Sequence, residues 1–408
     1  MAREGASKAD MRPVVVTSLA TALSLLGDSM LYIALPVHWR EAGLDSLWQV
    51  GALLAINRLV RLPINPLIGL LYQRISLKTG LLIAVVLGAI STCGYGWAQG
   101  FVAWMLLRAL WGVAWSLFRI GGLTAVVRCA ESSGQGQAMG MYNGLYRLGS
   151  LFGMLLGGLL VAFHGLPALA WAFGLLSLLG LPLLAFGFHL PTTAEPERRQ
   201  NAAPKACEST IHDPWVVLLT GSCIALLIQG IMASTLSALI ERYYGSTVEL
   251  LGVLLSATAL SGLLSSARWA WEPWLASRMG RWSDGPRGRL PLLVGFLLLG
   301  ASSFLPMAMG LPLPIWLAIT LVALLTSTAL TTLGDALAAD TARRIGAVRF
   351  MTRYSIGQDL GAACGPLLAY LLLSLTGGFG WLYASGSLLL GVLALYWWRR
   401  ARTVRLLG

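Results

Sequence analysis

The sequence predicts an all-α integral membrane protein whose twelve transmembrane helices form two pseudo-symmetric halves of six helices each. Of its 408 residues, 57% are hydrophobic and only 11% are charged, whereas a soluble protein has about 25% charged residues. Apolar runs of about 20 residues recur along the whole chain, and each is long enough to cross a bilayer as a helix. Two short sequence patterns occur once in each half of the chain, which indicates a duplicated fold.

The twelve apolar runs are rich in Leu, Ala and Gly and lack the alternating pattern of a membrane β-barrel. We predict the first six helices at 13–37, 48–72, 80–98, 101–127, 138–163 and 167–190, and the other six at 214–240, 248–272, 291–309, 313–339, 350–374 and 379–398. The polar stretch between the two sets is typical of a flexible linker. The predicted domains are therefore an N-terminal half at 1–190, a cytoplasmic linker at 191–213 and a C-terminal half at 214–408.

The positive charges lie on one side of this arrangement. The formal net charge is +12, and 20 of the 29 Lys and Arg fall before helix 1, after the even-numbered helices or at the C-terminus. The loops on the other side hold two, Arg40 and Arg242. By the positive-inside rule, both termini are expected in the cytoplasm and the protein in the cytoplasmic membrane. The basic balance thus reflects topology and the lipid surface, and we expect no nucleic acid partner.

Two repeated patterns connect the halves. The stretch "NPLIGLLYQRISLKTG" joins helices 2 and 3, and "PWLASRMGRWSDG" follows helix 8, so that Arg278 lies 204 residues after Arg74. The stretches "YRLGSLFGMLLGG" and "QDLGAACGPLLAY" align Gly149 with Gly361, 212 residues apart. Positive charges in such short connections are stabilised by anionic lipid headgroups and by the dipoles at the C-terminal ends of helices.

These motifs resemble those of the major facilitator superfamily. Gly69-x3-Gln73-Arg74-x-Ser76-x-Lys78 is similar to the family's loop motif, although Gln73 stands for an acid, and Arg108-x3-Gly112 is similar to its helix-4 motif. The resemblance implies alternating access around a substrate site between the halves. It also implies a cytoplasmic latch, for which the candidates are Gly69, Arg74, Lys78, Arg278, Gly280 and Arg281. Simple anchoring at the headgroups explains Lys78 and Arg281 equally well.

Charged and aromatic side chains within the spans are the candidate substrate site. Trp104, Arg108, Trp111, Trp115 and Arg119 follow one another at steps of three or four, so they share one face of helix 4. Arginine and indole suit an anionic, amphipathic ligand, although packing within the bundle is an alternative role. We expect the substrate cavity to include Asn57, Arg58, Arg108, Trp111, Trp115 and Arg119. Asp335 lies near the cytoplasmic end of helix 10, where we expect it to be solvated.

Carboxylates inside a membrane need a partner or a function. Asp28 lies near the middle of helix 1, where burial raises the proton affinity of a lone carboxylate. It is the candidate proton-coupling residue, and an ion pair with Arg58 or Arg108, or a contact with Asn57, is the alternative. The family architecture places helix 5 against helix 8 and helix 2 against helix 11. It therefore predicts cross-half pairs Arg147 with Glu272 and Arg61 with Asp359.

The predicted function is secondary active transport of a small organic molecule, anionic or amphipathic, by proton-coupled export. Uptake of an anionic metabolite or metal chelate, or export of cationic drugs, are the alternatives. Coupling to ATP is disfavoured, because no Gly-x4-Gly-Lys-Ser/Thr motif occurs. An enzyme is disfavoured because the four His lie in loops and span ends, and a membrane scaffold or sensor because no stretch is long enough for a soluble domain. We expect no cofactor and no metal site. The expected partners are the substrate, protons and the lipid bilayer, and the expected state is a monomer.

Overall fold

The structure is a computed structural model that describes residues 11–129, 135–189, 213–250, 252–283, 289–345, 347–375 and 377–407. These residues are almost wholly helical. We call residues 11–189 the N-terminal segment and residues 213–407 the C-terminal segment. The predicted linker, 191–213, lies outside the described residues except for Asp213. The Asp213 carboxylate caps the next helix by accepting a hydrogen bond from the Trp215 backbone N–H, 3.0 Å away.

The elements of the N-terminal segment are α1 Arg12–His38, α2 Leu47–Leu71, α3 Leu77–Gly94, α4 Phe101–Cys129, α5 Gln135–Ser177 and α6 Gly180–Gly187. The C-terminal segment begins with α7 Pro214–Ala225, the π-helical turns Leu226–Met232 and α8 Ala233–Tyr244. A hairpin of β1 Thr247–Leu250 and β2 Val253–Ser256 follows. The chain continues through α9 Ala257–Ser283, α10 Arg289–Phe304, the 3-10 turn Leu305–Ala308, α11 Leu313–Ile345, α12 Ala347–Leu373 and α13 Gly378–Leu407.

Ten helices among the described residues are long and apolar enough to cross a membrane, so the chain is a multi-pass membrane protein. The fifth and sixth predicted spans share one of the ten, the stretch 140–187, which is interrupted at Gly165 where φ is 74°. Helix α9 is not among the ten, because Arg268 and Glu272 lower its hydropathy. The count of twelve spans stays a prediction.

The eighth span differs from the predicted one at both ends. The apolar residues from 248 belong to the β1–β2 hairpin rather than to a helix, and α9 begins only at Ala257. Gly245 and Gly252 have φ values of 87° and 79°, which interrupt helical backbone on either side of β1. At the other end α9 continues to Ser283. Arg278, Gly280 and Arg281 therefore lie on the last turns of a helix and not in a loop.

Repeated glycine contacts relate the two segments. A Cβ on Gly149 would lie 2.1 Å from the Ala22 carbonyl oxygen, so α5 and α1 are in direct backbone contact. A Cβ on Gly361 would lie 2.2 Å from the Ser222 carbonyl oxygen, where α12 meets α7. Small residues allow such close approach of membrane helices. The two glycines that align in the sequence repeat thus make the same kind of helix contact in both segments.

The two segments pack on each other at one end of the bundle. We call the end that carries the α2–α3 turn the basic end and the other the opposite end. Near the opposite end, α5 crosses α9, and a Cβ on Gly158 would lie 2.5 Å from the Thr258 carbonyl oxygen. There α2 also crosses α12, with Gly51 against the Pro366 carbonyl. Backbone contact therefore closes the opposite end.

We expect Gly158→Ala to destabilise the protein by roughly 1–3 kcal/mol, because the added methyl group overpacks the α5–α9 contact. Gly391→Ala is the matched control, since a Cβ there meets no atom within 4 Å, and alanine favours helix by about 1 kcal/mol over glycine. The free energy of unfolding in mixed micelles measures both. If both substitutions changed the free energy of unfolding equally, the close contact between α5 and α9 at Gly158 would be contradicted.

Candidate functional site

A cavity of about 570 Å³ lies between the two segments. Helices α1, α2, α4 and α5 contribute one wall, and the π-helical turns, α8, α9, α11 and α12 contribute the other. Its aromatic lining consists of Tyr32, Trp111, Trp115, Tyr146 and Trp269. Its charged lining consists of Arg58, Arg61, Arg119, Arg147, Arg268, Asp28, Glu272, Asp335 and Asp359. Because the opposite end is closed by backbone contact, the cavity extends toward the basic end.

Asp28 and Arg108 form a buried ion pair between α1 and α4. Arg108 Nη1 donates to Asp28 Oδ1, and Arg108 Nε donates to the Leu53 carbonyl oxygen at 3.0 Å. Asn57 Nδ2 lies 3.4 Å from the same carboxylate oxygen. Asp28 and Asn57 line the cavity, whereas Arg108 is fully buried behind them and does not. The expectation that Arg108 faces the substrate is therefore corrected, and the alternative of a pair with Asp28 describes its position.

The aromatic and basic face of α4 is divided along its length. Trp104 is fully buried, stacks on Tyr95 at 5.0 Å and donates to the Ala98 carbonyl oxygen at 3.2 Å, so it is a packing residue. Trp111 and Trp115 line the cavity. The shared face predicted for these side chains thus has a packed part at the opposite end and a cavity part nearer the basic end.

Arg119 continues the cavity part of this face. Its Nη1 donates to the Tyr146 hydroxyl at 3.4 Å. Tyr146 also meets Trp115 edge to face, with ring centroids 5.8 Å apart. Within the described residues Arg119 has no carboxylate within 4.0 Å. The Arg119 guanidinium is therefore hydrogen-bonded to a neutral hydroxyl and lines the cavity.

Two ion pairs join the segments across the cavity, and both combine residues that the sequence paired. Arg147 Nη1 on α5 contacts Glu272 Oε1 on α9. Arg61 Nη2 on α2 lies 3.4 Å from Asp359 Oδ1 on α12. The second carboxylate is shared, because Arg58 Nη1 lies 3.9 Å from it.

Arg58 makes a further contact between the segments. Its Nη1 donates to Gln229 Oε1 at 3.2 Å. Gln229 belongs to the π-helical turns and lines the cavity. A hydrogen bond and two ion pairs therefore connect the same faces of the two segments.

The latch candidates lie at the basic end and make local contacts. Arg74 is exposed in the turn after α2, and Lys78 Nζ donates to the Ala185 carbonyl oxygen at 2.6 Å. The Arg278 guanidinium lies 3.8 Å from the Trp274 ring centroid. A Cβ on Gly69 or on Gly280 would meet no atom within 4 Å, and the side chain of Arg281 lies outside the description. In the part of the chain that is described, no ion pair joins these cations to the other segment.

Several cavity residues were given no role by the sequence. Trp269, Tyr146 and Gln229 line the cavity, and a pairing of aromatic with arginine in mid-span, as in Tyr146-Arg147 and Arg268-Trp269, would have indicated the first two. Asp335 lines the cavity and is exposed, in agreement with the expectation that it is solvated. It accepts hydrogen bonds from the Tyr354 hydroxyl at 3.1 Å and from Gln358 Nε2 at 3.0 Å.

A bundle of membrane-spanning helices around a charged central cavity is the architecture of a transporter rather than of an enzyme. Residues 17–348 match the family model of the Major Facilitator Superfamily. The chain belongs to this superfamily. The family resemblance predicted from the loop motif is therefore confirmed.

The curated relatives with similar sequences include amine transporters. The chain is 27% identical over 256 residues to the synaptic vesicular amine transporter of Mus musculus, a match covering 62% of this chain and 47% of that protein. It is 26% identical over 260 residues to the chromaffin granule amine transporter of Homo sapiens, covering 63% and 47%. The match thus spans about half the length of these curated relatives.

The fold is similar to solved transporters along nearly its whole length. A bacterial homolog of the human lysosomal transporter Spinster, in an inward-facing and occupied conformation, gives a TM-score of 0.76 at 14% identity, with 98% of each chain covered. The human organic anion transporter MFSD10 (TETRAN) gives 0.64 at 17% identity, covering 95% of this chain and 99% of that chain. At these identities the likeness concerns the fold alone.

Breaking the buried pair tests the position found for Arg108. We expect Arg108→Gln to lower the free energy of unfolding by roughly 3–5 kcal/mol, because it leaves Asp28 buried without its cation. Adding Asp28→Asn to this variant should recover part of the loss. Arg119→Gln on the same helix is the control and should cost much less. A similar loss for Arg119→Gln, or none for Arg108→Gln, would contradict the assignment.

Proposed function

We propose that this protein is a secondary active transporter that exports a small organic anion or amphipathic molecule in exchange for protons. The observation that carries the proposal is the cavity between the segments, which is closed at one end and lined by aromatic and charged side chains. Among the described lining residues five arginines accompany four carboxylates, and Arg108 behind the wall adds a further cation. An anion therefore enters a site with an excess of positive charge.

Two of the cavity arginines support an anionic substrate directly. Arg119 and Arg268 have no carboxylate within 4.0 Å among the described residues. A guanidinium remains charged at physiological pH and matches the planar fork of a carboxylate. Trp115 offers flat apolar area in the same cavity, which Trp111 borders although it is only 1% exposed. These properties suit a molecule with an aromatic body and one anionic group.

Asp28 is the proposed proton carrier. It lines the cavity, and its carboxylate pairs with Arg108. Protonation of Asp28 would remove the negative half of this pair and change the contacts between α1 and α4. That step gives a proton a direct effect on the wall of the substrate cavity, as exchange requires. The contact with Asn57 keeps the carboxylate in place.

Alternating access is proposed as a movement of two six-helix halves, 1–190 and 214–408. The matching glycine contacts of α1 with α5 and of α7 with α12 support this division. Arg74 and Arg278 lie at the basic end without an ion-pair partner in the other segment, in the part of the chain that is described. We propose that they form the latch when that end closes. The protein would act as a monomer in the cytoplasmic membrane with both termini inside.

Export of an organic cation is the second candidate. Its support is the similarity to vesicular amine transporters, and Asp335, a cavity carboxylate with no cation within 4.0 Å among the described residues. The site already satisfies this carboxylate through Tyr354 and Gln358. We therefore rank the cation second.

Labelling of single cysteines tests the orientation. In a variant without the native cysteines, a cysteine at Ser76 should react with an impermeant maleimide only from the cytoplasm. A cysteine at Ser246 should react only from outside, because the loop cations place the α2–α3 turn inside. Intact cells and inverted vesicles supply the two sides. Labelling of position 76 in intact cells would contradict the orientation.

Transport into proteoliposomes tests the proposed function. With an acidic lumen and a clamped membrane potential, naphthalene-2-sulfonate should accumulate inside, because protons leave in exchange. Asp28→Asn should abolish accumulation and retain exchange of labelled for unlabelled sulfonate. The exposed Asp45→Asn is the control and should behave as wild type.

Three outcomes would contradict the proposal. Accumulation only with an alkaline lumen would indicate uptake together with protons. Movement of trimethyl(2-naphthyl)ammonium in place of the sulfonate would favour the cation candidate. Undiminished accumulation by Asp28→Asn would exclude Asp28 as the proton carrier.

A further inference from the structure

Arg268 is a buried cation in the middle of α9. Its residue is 8% exposed, and it lines the cavity. Its Nε has no hydrogen-bond partner, and no carboxylate lies within 4.0 Å of its nitrogens among the described residues. A buried, uncompensated charge costs several kcal/mol. Arg268 thus lines the cavity with a guanidinium whose buried Nε lacks a hydrogen-bond partner.

One oxygen of the carboxylate nearest to Arg268 in sequence is paired elsewhere, and the other, Glu272 Oε2, has no hydrogen-bond partner. Glu272 lies one helical turn further along α9, the spacing at which an ion pair with Arg268 would form. Instead Glu272 Oε1 pairs with Arg147 from α5. The pair across the segments thus withdraws Glu272 from its neighbour and leaves Arg268 free.

Trp269 holds the two guanidinium groups in place. Its ring centroid lies 5.1 Å from Arg268 Cζ and 5.6 Å from Arg147 Cζ. The indole N–H donates to the Met154 Sδ atom at 3.3 Å, which fixes the ring against α5. Stacking on an aromatic face orients an arginine without using its N–H groups. Arg268 is therefore both oriented and unpaired.

We propose that Arg268 binds the anionic group of the transported molecule, and that the Arg147–Glu272 pair keeps it available. This inference rests on the proposed transport of an organic anion. The guanidinium fits a planar carboxylate or a sulfonate. The negative charge of Glu272 one turn away disfavours a dianion. The substrate class is a monovalent oxyanion on an aromatic body, which Trp115 and Tyr146 of the same cavity accommodate.

Binding of three isosteric probes to the purified full chain tests the site. The probes are naphthalene-2-sulfonate, its neutral sulfonamide and trimethyl(2-naphthyl)ammonium, measured by isothermal titration calorimetry. Wild type should bind the sulfonate at least tenfold tighter than the sulfonamide. Arg268→Gln should weaken sulfonate binding about tenfold to a hundredfold, as expected for a lost charged hydrogen bond. Sulfonamide binding should stay unchanged, and Arg242→Gln, an exposed charge removal at the opposite end, should change neither.

A second set of variants tests the role of the ion pair. Arg147→Gln should weaken sulfonate binding, because Glu272 becomes free to pair with Arg268. The double variant Arg147→Gln with Glu272→Gln should restore it, since Arg268 is then free again. A purely structural role of the pair would make the double variant at least as weak as the single one. Arg268→Lys keeps the charge without the fork, and should bind with intermediate affinity if Arg268→Gln does not fold.

The outcomes separate this inference from the proposed function. An undiminished preference for the sulfonate in Arg268→Gln or Arg268→Lys overturns the assignment of Arg268 and leaves organic-anion transport standing. Preference of the wild type for the cation contradicts the proposed function itself, and the inference with it. Sulfonate affinity weaker than about 1 mM in wild type also overturns the site, because a free buried guanidinium beside indole rings would bind more tightly.

Discussion

A charge in the interior of a membrane protein needs an opposite charge or water, and this constraint organises the bundle. Asp28 and Arg108 satisfy one another within the N-terminal segment. Arg61 with Asp359, and Arg147 with Glu272, do so between the segments. The remaining cations of the wall face the cavity. The cavity therefore lies where the helices carry charged side chains into the membrane. The same side chains determine the charge of a ligand that the cavity favours.

The contacts between the segments are of two physical kinds. At the opposite end, glycines such as Gly51 and Gly158 allow the backbones to touch, and the atom nearest to a Cβ on each is a carbonyl oxygen of the other helix. Around the cavity, Arg61–Asp359 and Arg147–Glu272 hold the same segments together by charge. An ion pair beside water can be exchanged for hydration or for a ligand. A change of access can thus open the glycine contacts while a bound ion or substrate replaces the charged ones.

The fold class and the ion pairs between the segments followed from the sequence, since apolar length identifies membrane helices and the family architecture names which helices meet. The depth of individual side chains and the β1–β2 hairpin did not follow from the sequence. Helical periodicity placed Arg108 and Arg119 on one face, but it carries no information on depth, and one is fully buried while the other faces the cavity. Hydropathy could not separate the β1–β2 hairpin from a helix, because valine and leucine are apolar in both.

Whether the cavity favours an anion or a cation depends on which of its charges are already satisfied. Asp335 is the carboxylate that would serve a cation, but the Tyr354 hydroxyl and the Gln358 amide donate to it, so a ligand would compete with hydrogen bonds already made. Arg268 has an unpartnered Nε. A buried donor without an acceptor costs free energy, and a ligand that accepts a hydrogen bond from it recovers that cost. An acceptor that already has donors gains little from a new partner. The similarity to amine transporters supports the cation candidate, whereas the pairing within this cavity supports the proposed organic anion.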